Sequence, residues 1–90
     1  MGLESIREVN NMFTLETKQL DLHGTAHEDV KRKVIRFIEE YWNLDKELEI
    51  ITGNSQKMRD LVIEVIEEYD LIYNIGKLYS TDKSRIITWV

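Results

Sequence analysis

The spacing of apolar residues along this chain switches between a period of two and a period near 3.6, and each switch marks an element. Leu20-Asp21-Leu22-His23-Gly24 alternates apolar and polar positions and halts on glycine, which predicts a strand that buries Leu20 and Leu22 and turns Asp21 and His23 away together. Thr25 and Glu28 have capping-box spacing. Ala26, Val30, Val34, Phe37, Ile38 and Tyr41 then follow one helical face, expected to end near Trp42-Asn43. Leu48-Glu49-Ile50-Ile51 reads as a second strand, stopped at Thr52-Gly53-Asn54. Asn54 and Ser55 stand where a cap is needed, and Met58, Leu61, Val62, Val65, Ile66 and Tyr69 form the cleanest helical stripe in the chain. Leu71 to Ile75 predicts a third strand with Gly76 as a bulge or bend. Ser80 to Ser84 is a turn cluster, and the β-branched run Ile86 to Val90 a last strand.

The order βαβαββ predicts an α+β fold: a two-layer sandwich with a four-stranded mixed sheet and both helices on one face. The other face is expected to be bare, with Ile51, Ile87 and Trp89 on it. Residues 18–90 carry all of this. Residues 1–17 read as an extension in which Ile6, Val9 and Phe13 have the spacing of a short amphipathic helix.

Ninety residues make one domain, and the absence of cysteine excludes disulfides and thiolate metal sites. No basic-then-apolar start and no long apolar run is found, so no membrane association is expected and the expected location is cytoplasmic. The net charge of −5 argues against indiscriminate binding to a polyanion, but its distribution is uneven. Glu39, Glu40, Asp45, Glu47 and Glu49 cluster at the end of the first helix and just beyond it, and Glu64, Glu67, Glu68 and Asp70 at the end of the second. Lys31, Arg32, Lys33, Arg36, Lys57 and Arg59 lie in the first halves of the helices, and Lys77, Lys83 and Arg85 near the last strand. Acids at helix C-termini oppose the macrodipole, so helix stability alone does not account for this polarity.

Neighbouring parallel strands end at one edge, where open α/β sheets bind ligands, so the His23-Gly24 and Thr52-Gly53-Asn54-Ser55 turns are expected to meet there. The residues suit phosphodiester chemistry. His23 is the candidate general acid or base with Asp21 to orient it or hold a cation, while Gly24, Thr52, Gly53, Asn54, Ser55, Lys57 and Arg59 are candidates to bind phosphate. His27 follows His23 by four residues, but a metal site needs three or more converging ligands, and no metal ligand is assigned.

These residues resemble the Smr (small MutS-related) domain family. Leu20-Asp21-Leu22-His23-Gly24 is similar to the family's opening Leu-Asp-Leu-His-Gly motif, Thr52-Gly53 stands where some branches have a Thr-Gly-x-Gly turn, and Met58-Arg59 followed by Val62 resembles Leu-Arg-x-x-Val on the second helix. The resemblance spans about residues 19–90. It implies the βαβαββ fold, binding of DNA or RNA and, as in several members, nicking of DNA or endonuclease activity on RNA associated with the positions of Asp21 and His23. A divalent cation such as Mg²⁺ is left open as a cofactor. The chain departs from the pattern at Ser55, which replaces the turn's second glycine, and at Ser80 to Ser84, which replaces a glycine-rich segment. Fewer glycines leave less room for backbone to approach a phosphate. A non-catalytic module that uses the bare sheet face or the N-terminal helix to bind another protein or a second copy is therefore the alternative.

Overall fold

The computed structural model describes residues 15–76 and 82–90. The expected helix at Ile6, Val9 and Phe13, and Ser80 and Thr81 of the turn cluster, lie outside the described residues. Strands β1 (Thr17–Asp21), β2 (Glu47–Ile51), β3 (Tyr73–Ile75) and β4 (Arg85–Trp89) form one sheet in the order β1-β2-β4-β3, with helices α1 (His27–Glu40) and α2 (Gln56–Glu68) between the first three strands. β1 and β2 pair in parallel, and β4 runs antiparallel to both β2 and β3. The chain is thus an α+β domain with a mixed four-stranded sheet and two helices.

Alternation decides the faces. Leu48 and Ile50 of β2 stand in register with Thr88 and Ile86 of β4, and all four are fully buried against the helices' Val30, Val34, Ile38, Val62, Val65 and Ile66. Thr88 is tolerated there because its hydroxyl donates to the Ile72 carbonyl at 2.7 Å. The opposite register positions carry Glu47 with Trp89, Glu49 with Ile87, and Ile51 with Arg85.

That second face differs from the bare apolar surface expected. Ile87 is only 5% exposed, and Ile51 and Trp89 are half-buried. Polar groups tie the strands together across this face: the carboxylate of Glu49, 4% exposed, accepts from Gln19 Nε2 at 2.6 Å and from an Arg85 guanidinium nitrogen at 3.0 Å, and Glu47 accepts from Thr17 Oγ1 and Trp89 Nε1. Apolar residues here sit among cross-strand polar partners rather than beside one another.

Element ends differ from the sequence reading in instructive ways. β1 starts three residues earlier than the Leu20 start expected, at Thr17, and stops at Asp21, so His23-Gly24 belongs to the turn beyond it. The capping box does not form. The N-cap of α1 is Ala26, which has no side chain to cap with, while Thr25 is held by its amide on the Leu22 carbonyl and accepts at 3.4 Å from Lys33 Nζ. The turn Leu22-His23-Gly24-Thr25 consumes the residue that the box required. α1 also ends before Trp42, at Glu40, and Asn43 and Asp45 in the following loop adopt left-handed φ of 61° and 56°. Short polar side chains tolerate that region.

Candidate phosphate-binding rim

The register that pairs Asp21 with Ile51 continues one step further, with the Leu22 amide donating to the Ile51 carbonyl at 2.9 Å. The chain leaves β1 and β2 at the same edge, about one strand spacing of 4.8 Å apart. The turns 22–25 and 52–55 therefore rise side by side, and each leads at once into a helix. Both helix N-termini face this rim, and with them the positive ends of two macrodipoles.

Within this frame the candidate residues divide. The imidazole of His23 is exposed at the turn. Asp21 does not bond that ring: its Oδ1 accepts from the His23 backbone amide at 2.8 Å, an Asx-type turn that fixes the main chain under the imidazole. Asp21 thus positions His23 through the backbone, a different role from the expected Asp-to-imidazole contact. Gly24, at φ +77°, supplies the left-handed step that lets the chain turn toward α1.

On the second turn, Gly53 at φ +67° reverses the chain in the same way. The amides of Thr52 and Gly53 both donate to the Ser84 carbonyl, at 2.7 and 3.0 Å, and the Thr52 hydroxyl also donates to that carbonyl at 3.1 Å. These groups fasten the turn to the start of β4 and are not presented to a phosphate. Ser55 is the N-cap of α2, its hydroxyl accepting from the Met58 amide at 3.1 Å, as the sequence suggested for this pair of positions. Arg59 also departs from its expected role: it is 8% exposed, with one guanidinium nitrogen on the Lys83 carbonyl at 3.1 Å and the other on Gln56 Oε1 at 3.0 Å. It braces the loop before β4.

What remains available is the opening of α2 itself. Asn54 and Lys57 are exposed, the first turn carries no acidic residue, and the amides of Gln56 and Lys57 have no acceptor among the described residues. α1 opens differently, with Glu28 and Asp29 already occupying its first turn. An anion meeting the rim would therefore be drawn to α2, with His23 on the adjoining turn.

Sequence reasoning missed Ser84, whose carbonyl gathers both β2-end amides, and the buried Glu49 with its partners. A lone glutamate inside an apolar strand and an arginine opening the last strand were the available signals. Among the described residues no group of three or more His, Asp or Glu side chains converges, and Asp21 is a single exposed carboxylate whose Oδ1 holds the His23 amide.

Fold and rim together define a small α+β domain with two adjacent strand-turn-helix units opening on one edge. No protein-family model, curated protein or solved structure matches the chain.

Proposed function

We propose that this domain binds the phosphodiester backbone of nucleic acid across the rim, with the opening of α2 holding a phosphate and His23 beside it as the proton-transfer group. The observation that carries the reading is the juxtaposition of two parallel strand ends, which brings the His23-Gly24 turn next to the Gly53-Asn54 turn under two helix N-termini. The Smr-like motifs point the same way. Binding has the better support, because the α2 amides, Asn54 and Lys57 need no help from a carboxylate. For cleavage, an attacking water or ribose hydroxyl would give its proton to the His23 imidazole as its oxygen bonds to phosphorus. The P–O bond to the departing sugar oxygen would break and that oxygen would take a proton from water, while the α2 amides and Lys57 bear the charge that develops on the phosphate oxygens.

The test is a salt titration of binding to single-stranded, duplex and structured nucleic acids, run with a nicking assay. Two or three phosphate contacts predict that log K falls against log salt with a slope of about −2 to −3 on duplex. His23→Ala should abolish nicking and weaken binding only slightly, because the helix amides remain. A flat salt dependence would remove the phosphate reading, and nicking unchanged in His23→Ala would remove the imidazole from it. The alternative, a protein-binding module on the sheet face opposite the helices, has less support, because Ile87 is buried there and Ile51 and Trp89 are half-buried.

A further inference from the structure

We propose that the outer edge of β1 is a docking site for an extended, acidic peptide segment of another protein, which adds as a fifth strand and sets carboxylates beside Lys33 and Arg36. The sheet ends at β1, and no described strand lies beyond it. The hydrogen bonds between β1 and β2 fix which groups are unused. Glu16 gives its carbonyl to the Glu47 amide and Leu22 takes the Ile51 carbonyl, so the even positions 16 to 22 point at β2. The amides and carbonyls of Thr17, Gln19 and Asp21 therefore point outward, a ladder long enough for a short peptide. The other edge is poorer: β3 has three residues and ends at the Gly76 bend.

Side chains give this edge a preference. On the helix side of β1 an open groove of about 450 Å³ is lined by Leu20, Lys33, Arg36, Phe37 and Glu40. Every second side chain of an added strand would enter it, since Leu20 marks the helix-side face of β1. Leu20 and Phe37 supply its apolar part, and Lys33, Arg36 and Glu40 its charged part. Of the α1 cations, Lys31 is paired with Glu64 and Arg32 with Asp29, whereas Lys33 and Arg36 pair with no carboxylate among the described residues. The groove thus sets two cations that have no carboxylate partner among the described residues against the one carboxylate of Glu40, a net positive lining beside a free strand edge that matches a peptide alternating carboxylate and aliphatic side chains on one face. A second copy is disfavoured at the same edge, because antiparallel pairing of β1 with itself would set Lys33 and Arg36 against their own counterparts.

The probe is an end-blocked fluorescent octapeptide with threonine at odd positions and glutamate alternating with valine at even ones, titrated into the full chain. Binding should slow hydrogen exchange at the amides of Thr17, Gln19 and Asp21. It should weaken about tenfold or more in Lys33→Glu/Arg36→Glu, both exposed positions, and fail for a peptide N-methylated on the amides that face β1. The proposal is overturned if the N-methylated peptide binds equally, if the charge reversals leave affinity unchanged, or if sedimentation shows a dimer that the peptide does not dissociate. It is also overturned if those reversals weaken nucleic-acid binding and leave peptide binding alone, since the groove would then belong to the nucleic-acid face. Neither result bears on His23 or the α2 opening, so this proposal and the rim can fail separately.

Discussion

Two hydroxyl residues one position apart in logic, Thr25 and Ser55, each precede a helix, and only one of them caps it. Ser55 accepts the Met58 amide, whereas Thr25 is drawn into the turn closed on Leu22, leaving Ala26 at the cap. Ser55→Ala should therefore cost about 1 kcal/mol in urea unfolding, and Thr25→Ala should stay within about 0.5 kcal/mol of the parent. Equal losses would mean that Thr25 contributes to α1 after all. The difference was only half legible beforehand. The spacing from Thr25 to Glu28 is correct for a box, but a glycine turn immediately before it competes for the same residue, and local spacing does not say which wins. Arg59 shows the same gap. Its place in the first turn of α2 suggested an anion ligand, yet the residue also falls where the helix meets the loop before β4, and only the fold reveals that the Lys83 carbonyl is within its reach.

At the level of elements, the apolar periodicity was the reliable guide, because the buried stripes of α1 and α2 and the alternation in β2 are demanded by one core. Ends were less legible, since they depend on individual bonds. α2 ends in a Schellman arrangement: the Leu71 amide donates to the Ile66 carbonyl at 3.2 Å and the Asp70 amide to Glu67 at 3.0 Å, with Asp70 left-handed at φ 56°. Asp70→Gly should raise stability by about 0.5 to 1 kcal/mol, because glycine adopts this φ without its Cβ penalty and a negative charge leaves the helix C-terminus. A destabilised variant in thermal unfolding would show that the Asp70 side chain has an unrecognised partner. The start of the sheet has an acid-sensitive clasp. Glu16 sits between Lys18 and Lys46, bridging the strand β1 to the entry of β2, and the hydrogen bonds and charges of the two lysines hold its carboxyl down to about 2 from an ordinary 4.5. A carboxyl depressed on folding contributes stability above its unfolded pKa and loses it as pH falls through the folded one. Urea midpoints should therefore fall between about pH 4.5 and about pH 2, less steeply in Glu16→Gln and less steeply in high salt, because the pair is exposed. Identical acid profiles for parent and variant would dismiss the clasp.

For the whole molecule, the question is how a chain of net charge −5 could hold a polyanion. Both helices start at one rim and end at the other, and neither has a basic residue in its last turn. Glu67 and Glu68 thus lie a full helix away from Lys57, and 13 residues of α2 span about 20 Å. Charges separated by more than the Debye length, about 8 Å at physiological salt, barely interact through solvent, so a phosphate at the α2 opening would hardly sense those acids. Two variants separate local contact from overall charge. Lys57→Glu places a carboxylate at the proposed seat and should weaken nucleic-acid binding about tenfold or more at 0.15 M salt, and by more at 0.01 M, because it lowers the salt slope by about one or more. Glu67→Gln/Glu68→Gln lowers the net negative charge by two, but should change affinity by less than about twofold at 0.15 M salt, where screening is short-ranged. At 0.01 M the screening length reaches about 30 Å, longer than the helix, and the same pair of changes should then strengthen binding several-fold. Titrations at the two salt concentrations would show whether both parts hold. If the glutamine variant gained as much at 0.15 M as at 0.01 M, the nucleic acid would be contacting the acidic end directly, and the rim at the β1 and β2 carboxyl ends would not be where it binds.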